Sequence, residues 1–313
     1  MNAAPLAERL AHPDAAVRRI AILDLQYSDE EGFVALLVRA LRDSDATVRA
    51  EAARVLEGYE EDEAVAGLVE RLADPDASVR EAAAGTLAEL KDPRMGSHLL
   101  PALAHHSPFV RAAALRALRA LKRDESYLPA VEALADPEAQ VRREAVGVLG
   151  YLRKPAAIPK LAALAASDAE AEVRRAAVGA LGYAIDVSVL PSLVRALGDG
   201  SWLVREEAAA TIGKLALAAG APDLVARLAD EYWQVRLAAA RSLGRLKHRE
   251  AVPALVEQLA HPIGNLRKEA VIALGDIGDA RAIAPLEQSL ADPDPDVRKL
   301  ARLSLARINP AKT

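Results

Sequence analysis

The sequence lacks cysteine altogether and contains few aromatic residues. With no cysteine among 313 residues, the chain forms no disulfide, binds no zinc or iron–sulfur cluster through thiolates and has no cysteine nucleophile. Only 3% of the residues are aromatic although 52% are hydrophobic, so the interior must be built mainly from small aliphatic side chains. This composition predicts thin interfaces between helices rather than one large core.

The sequence also lacks any run of 18 apolar residues without charge, which argues against a membrane span. Residues 1–11 include Pro5 and Glu8, where a signal peptide would have a basic start and an apolar run. We therefore expect no membrane partner and a cytoplasmic location. The formal net charge of −5, with acidic and basic residues interleaved, argues against nucleic acid as a partner.

Motifs of catalysis are absent as well. The chain has no glycine-rich phosphate loop, no Gly-x-Ser-x-Gly motif and no zincin motif. Its many carboxylates fall in predicted helix caps and on solvated helix faces. We therefore expect no cofactor and no metal site, and the sequence favours a non-catalytic role over an enzymatic one.

What the sequence does contain is a repeated Val-Arg dipeptide, replaced once by Leu266-Arg267. It recurs along the whole chain at a nearly constant spacing of about 31 residues, and a single step is longer by one position. An alanine follows each arginine by three residues and a leucine or isoleucine follows by seven, which places these positions on one stripe of a helix. Such a period predicts a solenoid of small repeats. The arginines are Arg18, Arg49, Arg80, Arg111, Arg142, Arg174, Arg205, Arg236, Arg267 and Arg298.

Between successive Val-Arg helices the chain turns and forms a second apolar helix, which we call the linking helix. Proline stands near the predicted start of most linking helices, where its missing N–H costs least. These prolines are Pro129, Pro159, Pro191, Pro222, Pro253 and Pro285. One helix pair cannot bury its apolar stripes without stacking on its neighbours. The sequence therefore predicts an all-α solenoid of about ten two-helix repeats, each of about 31 residues.

The repeats predict a single solenoid over residues 1–313 without a domain boundary. A lone linking helix is expected near residues 4–11 and a lone Val-Arg helix near 296–308. Both could support self-association through an uncovered apolar side, which on the last helix includes Leu300, Leu303 and Ile308. The longer step of the period falls at 165–172, where we expect a longer connection that changes the pitch or acts as a flexible joint.

The segment 72–80, Leu-Ala-Asp-Pro-Asp-Ala-Ser-Val-Arg, followed by Ala83 and Leu87, resembles the short bacterial and archaeal HEAT-like repeat first associated with phycobilin lyases. The resemblance covers essentially the whole chain. It implies a right-handed α-superhelix with the linking helices on the concave side.

The resemblance also implies a structural ladder between repeats, in which an aspartate six residues before an arginine binds an arginine and caps a helix start. Asp168 stands in the same aspartate position. The residues assigned to the ladder are Asp43, Arg49, Asp74, Arg80, Asp136, Arg142, Asp199, Arg205, Asp230, Arg236, Asp292 and Arg298.

Three histidines, His12, His105 and His261, stand in the aspartate position of their repeats. They are several repeats apart and cannot share one metal ion, so they are predicted to be loop or cap residues. The chain also lacks the His-Glu pairs that bind iron in deoxyhypusine hydroxylase, another HEAT-like protein, which makes that enzyme activity a poor fit.

Both tryptophans of the chain, Trp202 and Trp233, stand three residues before ladder arginines in successive repeats. Tyr232 lies beside the second, and Phe109 lies close to the same position in its own repeat. At a spacing of about 8–10 Å between stacked helices, the two indole rings are expected one above the other on one edge of the solenoid. Exposed aromatic residues often anchor protein interfaces, so we predict a partner-binding patch here. Filling of gaps between the connections is the alternative.

A second group of candidate partner-binding residues lies on the opposite edge, where Val-Arg helices lead into linking helices. It consists of Tyr151, Tyr183, Arg119, Arg123 and Arg153. Two functions are consistent with these patches. The first is a non-catalytic scaffold or assembly chaperone that holds a partner protein. The second, implied by the resemblance, is a phycobilin-lyase-like protein that handles a tetrapyrrole on a client, with the three arginines binding its propionates.

Overall fold

The computed structural model describes residues 6–25, 32–184 and 187–309, and every regular element in these ranges is helical. Linking helices and Val-Arg helices alternate along the chain, as predicted. The linking helices are α1 (Leu6–Leu10), α3 (Phe33–Ala40), α5 (Asp62–Arg71), α7 (Gly96–Leu99), α9 (Tyr127–Ala133), α11 (Ile158–Ser167), α13 (Leu190–Ala196), α15 (Ala221–Arg227), α17 (Val252–Glu257) and α19 (Ile283–Gln288). The Val-Arg helices are α2 (Ala15–Leu25), α4 (Ala46–Val55), α6 (Ala77–Ala88), α8 (Pro108–Leu121), α10 (Ala139–Leu152), α12 (Ala171–Leu181), α14 (Trp202–Lys214), α16 (Trp233–Arg245), α18 (Gly264–Ile277) and α20 (Pro295–Ile308).

The helices form two compact units, residues 1–152 with α1 to α10 and residues 153–313 with α11 to α20. Within each unit, every Val-Arg helix packs on the next Val-Arg helix and on the linking helix that precedes it in the sequence. The first helix, α1, packs on α2, and the last helix, α20, packs on α19. Ala4 and Pro5 of the first predicted helix lie outside the described residues, and Leu303 on α20 is 51% exposed.

The segment 165–172 differs from the longer connection expected from the sequence. Helix α11 continues to Ser167, where the N–H of Asp168 still donates to the carbonyl of Leu164, and α12 already begins at Ala171. The hydroxyl of Ser167 also donates to the carbonyl of Ala163 in the last turn of α11. The additional residue of this repeat is therefore accommodated in a longer helix, and the connection itself is short.

Alanine makes the closest contacts of the Val-Arg helices possible. The ten alanines that follow the Val-Arg pairs have no exposed surface: Ala21, Ala52, Ala83, Ala114, Ala145, Ala177, Ala208, Ala239, Ala270 and Ala301. A larger side chain at these positions would separate helices that pack at interior density. The strict alanine column therefore allows the close distance between stacked helices.

A second close crossing in the residues 153–313 unit depends on glycine. A Cβ atom on Gly244 of α16 would lie 2.9 Å from the Cα and 3.1 Å from the Cβ of Ala273 on α18. Gly213 on α14 and Gly275 on α18 occupy the same position of their repeats, and a Cβ there would also meet the backbone of the next Val-Arg helix. Glycine is required at this crossing because the two helix backbones nearly touch.

Buried hydroxyl groups reinforce the same stacking. Each donates to a carbonyl of the preceding Val-Arg helix, at 2.8–2.9 Å: Thr86 to Ala53, Ser242 to Ala209 and Ser304 to Val271. These bonds satisfy polar atoms that would otherwise be costly in the interior, and they fix the register of neighbouring helices.

None of the helices in the described ranges combines the length and the apolar character that crossing a membrane requires.

Candidate functional site

The edge at which linking helices lead into Val-Arg helices is held by arginine–aspartate pairs, and we call it the ladder edge. In six pairs the arginine donates from Nε and Nη2 to both carboxylate oxygens of the aspartate in the next repeat, at 2.7–2.9 Å. The pairs are Arg18–Asp43, Arg49–Asp74, Arg111–Asp136, Arg174–Asp199, Arg205–Asp230 and Arg267–Asp292. Such two-pronged pairs fix geometry as well as charge.

The ladder aspartates do not cap helices, which corrects the expectation from the sequence. Asp43 accepts the N–H of Asp45 at 2.8 Å, and Asp45 is the N-cap residue of α4, with its own side chain accepting the N–H of Thr47. Helix α4 begins at Ala46, so the carboxylate of Asp43 lies before the first helical turn. Its role is to order the connection that leads into the helix.

Pairing lowers the pKa of every aspartate in these six pairs. At Asp136, Asp199 and Asp292 the main cause is the hydrogen bond from the arginine. At Asp43, Asp74 and Asp230 burial alone would raise the pKa, but the bond from the arginine, a backbone N–H and the arginine charge together outweigh burial and lower it. All six groups therefore favour the folded chain while they are ionised.

This direction predicts cooperative loss of stability in acid. A carboxylate with a lowered folded pKa contributes fully above its unfolded pKa of about 3.9 and loses that contribution as the pH falls through the folded value. We expect the melting temperature, followed by circular dichroism, to stay nearly constant from about pH 7 to pH 5 and to fall steeply between about pH 4 and pH 2. A melting temperature unchanged at about pH 2 would contradict the ladder as a source of stability.

Two steps of the ladder lack a carboxylate, because His105 and His261 stand in the aspartate position. Their Nδ1 atoms accept the N–H two residues later, at Ser107 and Ile263, at 3.1 Å, so the turn is preserved. His12 does the same for the N–H of Asp14. In the described parts of the chain no group of three or more potential ligands could hold a metal ion.

The arginines that face these two histidines have no carboxylate partner in the part of the chain that the structure describes. Arg80 donates to the carbonyls of Asp74 and Pro75, and Arg236 donates to the carbonyl of Asp230. The other two ladder arginines of the prediction, Arg142 and Arg298, also donate to carbonyls of the connection before their helix. Every ladder arginine thus donates to a backbone carbonyl of the connection before its helix. Within the described ranges, pairing with a carboxylate of the next repeat is missing at Arg80 and Arg236.

On the ladder edge of the residues 153–313 unit, Trp202 stacks on Tyr232. The ring centroids are 5.7 Å apart and the planes differ by 13°. The Arg205 guanidinium carbon is 5.6 Å from the centre of the Tyr232 ring, so the arginine that binds Asp230 also contacts the stack. Tyr232 is 39% exposed. The partly exposed Tyr232 ring is therefore held in place by Trp202 and by the arginine of a ladder pair.

The ring that stacks on Trp202 is that of Tyr232, the neighbour of the second tryptophan. Tyr232 is the extended residue immediately before α16, whereas Trp233 is the first helical residue and is half-buried. Because backbone conformation changes between these two neighbours, Tyr232 provides the ring that reaches Trp202. Phe109 belongs to the other unit, where it lies half-buried with the Arg80 guanidinium carbon 5.8 Å from its ring centre.

On the opposite edge of the residues 1–152 unit, the candidate arginines contact acidic groups of the same unit. Arg119 lies 3.5 Å from Glu144, and Arg123 donates to Glu125 at 3.0 Å. Tyr151 is 46% exposed, with the Lys122 ammonium 5.0 Å from its ring centre. The positive charges here are largely engaged within the chain.

On the opposite edge of the residues 153–313 unit, Tyr183 lies against two cations. The Arg153 guanidinium carbon is 5.0 Å and the Lys214 ammonium is 4.0 Å from its ring centre. Such contacts stabilise the cations over the ring. Tyr183 is 40% exposed, but its ring already contacts two side chains of its own unit.

The sequence matches the family model described as HEAT repeats along most of its length. The matched segments overlap and extend from residue 3 to residue 306: residues 3–88, 40–119, 65–149, 96–182, 128–213, 158–234 and 221–306. The match is to HEAT repeats in general, so the phycobilin-lyase type remains a prediction. No curated protein matches the sequence.

Solved structures share the fold at low sequence identity. A chain of the structure of Kap95p with RanGDP is 15% identical with a TM-score of 0.67, over 97% of this chain and 49% of that one. YibA of E. coli is 20% identical with a TM-score of 0.53, over 95% and 98% of the two chains. An engineered protein is 24% identical with a TM-score of 0.51, over 97% and 98%.

The present chain thus spans about half the length of the Kap95p-complex chain that it matches. Two helix types alternate along the chain, successive helices stack within each unit, and the family match extends over residues 3–306. The chain is an α-solenoid that belongs to the HEAT repeats family.

Proposed function

We propose that the chain is a non-catalytic scaffold or assembly chaperone, which holds a partner protein on the ladder edge at Trp202 and Tyr232. The observation that carries this proposal is the stack of the exposed Tyr232 ring on the half-buried Trp202 ring, with centroids 5.7 Å apart. HEAT repeat solenoids are typical of protein-interaction scaffolds, and a structural neighbour, Kap95p, binds RanGDP according to the description of its structure.

The aromatic surface is rigid before any partner binds. The Arg205 and Asp230 side chains beneath it are only 8% and 3% exposed, and the N–H of Tyr232 donates to Asp230 at 3.0 Å. Asp230 thus holds the backbone of Tyr232, and Trp202 and Arg205 hold its ring. Ordering these side chains in advance reduces the entropy lost on association, which favours an interface anchor here.

The opposite edge is less suited to this role. Tyr183 already contacts Arg153 and Lys214, while Arg119 and Arg123 contact acidic side chains. A tetrapyrrole propionate or an acidic group of a partner would have to displace Glu144 from Arg119 and Glu125 from Arg123. This cost also makes the lyase-like alternative the weaker of the two functions.

The proposal predicts that the Trp202→Ala, Tyr232→Ala double variant loses a partner that the wild-type chain retains. The chain would be immobilised, exposed to lysate of its native host, and the retained proteins quantified by mass spectrometry. Tyr183→Ala is the matched control, because Tyr183 and Tyr232 are 40% and 39% exposed in the same unit. We expect the control to retain the partner, since it leaves the ladder edge intact.

Melting curves of all variants separate loss of binding from loss of folding. Equal retention of the partner by the wild type and the folded double variant would contradict the proposal, as would the absence of any specifically retained protein. A coloured ligand that co-purifies with the wild type would favour the lyase-like alternative instead.

A further inference from the structure

The complete steps of the ladder show what a ladder arginine binds. Arg205 donates from Nε and Nη2 to the two oxygens of Asp230, both at 2.8 Å, and the other five pairs repeat this geometry. A carboxylate satisfies the planar fork of a guanidinium with two parallel hydrogen bonds. The six pairs are thus internal examples of a ladder arginine bound to a carboxylate in the same geometry.

Arg236 departs from this pattern more than any other ladder arginine. In the nine others, Nη1 donates to the carbonyl six residues earlier, whereas in Arg236 this bond is made by Nε to Asp230. The change leaves Nη1 and Nη2 without an acceptor among the described residues. These two atoms carry four of the five N–H groups of a guanidinium, and Arg236 is only half-buried.

No carboxylate in the described ranges pairs with Arg236. His261 stands in the aspartate position, and its Nδ1 accepts the N–H of Ile263, so the neutral ring has no acceptor left for Arg236. Burial and the neighbouring Arg236 and Arg267 lower the pKa of His261, which keeps the ring neutral at pH 7. Asp230 is engaged by Arg205 and by the N–H of Tyr232.

The open guanidinium and the aromatic stack share one connection, residues 230–232. The Nε of Arg236 donates to the carbonyl of Asp230, and its backbone N–H donates to the carbonyl of Tyr232 at 3.3 Å. The same combination recurs in the residues 1–152 unit, where Arg80 faces His105 and lies beside Phe109. The Arg80 guanidinium thus contacts its aromatic ring directly, whereas Arg236 is linked to the aromatic stack through the backbone of Asp230 and Tyr232.

We propose that Arg236 binds a carboxylate of an acidic partner segment, whose apolar neighbouring side chain rests on the Trp202–Tyr232 stack. The inference rests on the proposed function, because it names the chemistry of the partner at the same edge. The partner carboxylate accepts from Nη1 and Nη2 of Arg236, which have no acceptor among the described residues, and it neutralises the charge of this guanidinium.

The test uses a defined pair of peptides, acetyl-Leu-Asp-Leu-Asp-Leu-amide and the same peptide with asparagine in place of aspartate. Trp202 belongs to the stack and is one of the two tryptophans of the chain, so a change in tryptophan fluorescence reports binding. We expect saturable binding of the aspartate peptide, and affinity lower by about tenfold or more for the asparagine peptide and for the Arg236→Gln variant. Arg302→Gln, which removes an exposed charge elsewhere in the unit, is the control and should bind as the wild type does.

A second variant distinguishes binding from folding. His261→Asp supplies Arg236 with an internal carboxylate, so we expect it to weaken peptide binding by about tenfold while raising the melting temperature. Misfolding cannot produce both effects together. The proposal is overturned if the wild type shows no saturable binding, if the two peptides bind equally, or if Arg236→Gln and His261→Asp leave the affinity unchanged.

The two proposals fail in different ways. A partner captured from lysate that depends on Trp202 and Tyr232, but not on Arg236, leaves the scaffold function standing and rejects the carboxylate site. Peptide binding that depends on Arg236, without any captured partner, supports the carboxylate site and counts against the scaffold function.

Discussion

Replacing Asp230 with alanine is expected to lower the free energy of unfolding by about 3 kcal/mol, because it leaves the Arg205 charge without a partner in a buried position. The Arg205 side chain is 8% exposed, and its Nε and Nη2 atoms would lose both acceptors at once. The N–H of Tyr232 would lose its acceptor as well. Urea denaturation followed by circular dichroism measures the change.

The control for this prediction is a solvent-exposed ion pair elsewhere in the same chain. Arg42 and Glu70 lie 3.4 Å apart with side chains that are 70% and 52% exposed. Glu70→Ala is expected to change the free energy of unfolding by less than about 0.5 kcal/mol, since water screens such pairs. An equally small effect of Asp230→Ala would mean that the ladder does not hold the repeats together.

Replacing Gly244 with valine is expected to cost about 3 kcal/mol, because the new side chain has no space between two helix backbones. Its Cβ would lie 2.9 Å from the Cα of Ala273, and a backbone atom cannot move aside by changing rotamer. The helices α16 and α18 would have to separate, which exposes the alanine stripe of the neighbouring turns. Thermal and urea denaturation both report the loss.

Gly85 provides the matched control for this crossing. It lies within α6, is exposed, and has no heavy atom within 4 Å of an added Cβ. Gly85→Val is therefore expected to leave stability within about 0.5 kcal/mol, since valine has the somewhat better helix propensity. If the two valine variants were equally stable, close backbone approach would not be a requirement of the fold.

Periodic residues predicted the fold well because stacking imposes the same demand on every repeat. The buried alanines, from Ala21 to Ala301, and the alternation of two helix types follow directly from the constant spacing of the Val-Arg pairs. The crossing at Gly244 and the hydroxyl bond of Ser242 were not predicted, because they occur in only some repeats. Their signal is visible once the packing is known: glycine at positions 213, 244 and 275, each facing a small residue of the next Val-Arg helix at 242, 273 and 304.

The candidate site was predicted only in part. Trp202, Tyr232 and Trp233 were all predicted for the ladder edge, but the sequence did not show which ring stacks on Trp202. That choice depends on the backbone, because Tyr232 precedes the helix in an extended conformation while Trp233 is its first residue. The open fork of Arg236 could not be predicted at all, since it depends on which guanidinium nitrogen bonds to Asp230. The sequence indicates this site only through His261, which stands where other repeats have an aspartate.

The most direct test of the central claim is a calorimetric titration of the purified partner into three forms of the chain: wild type, Tyr232→Ala and Tyr183→Ala. The two tyrosines are equally exposed and lie on different edges of the same unit, so the comparison isolates the edge. We expect Tyr232→Ala to weaken binding by about tenfold or more, as interface anchors do, and Tyr183→Ala to change it by less than about twofold. Equal affinities for the three forms, or a loss confined to Tyr183→Ala, would contradict the assignment of partner binding to the ladder edge.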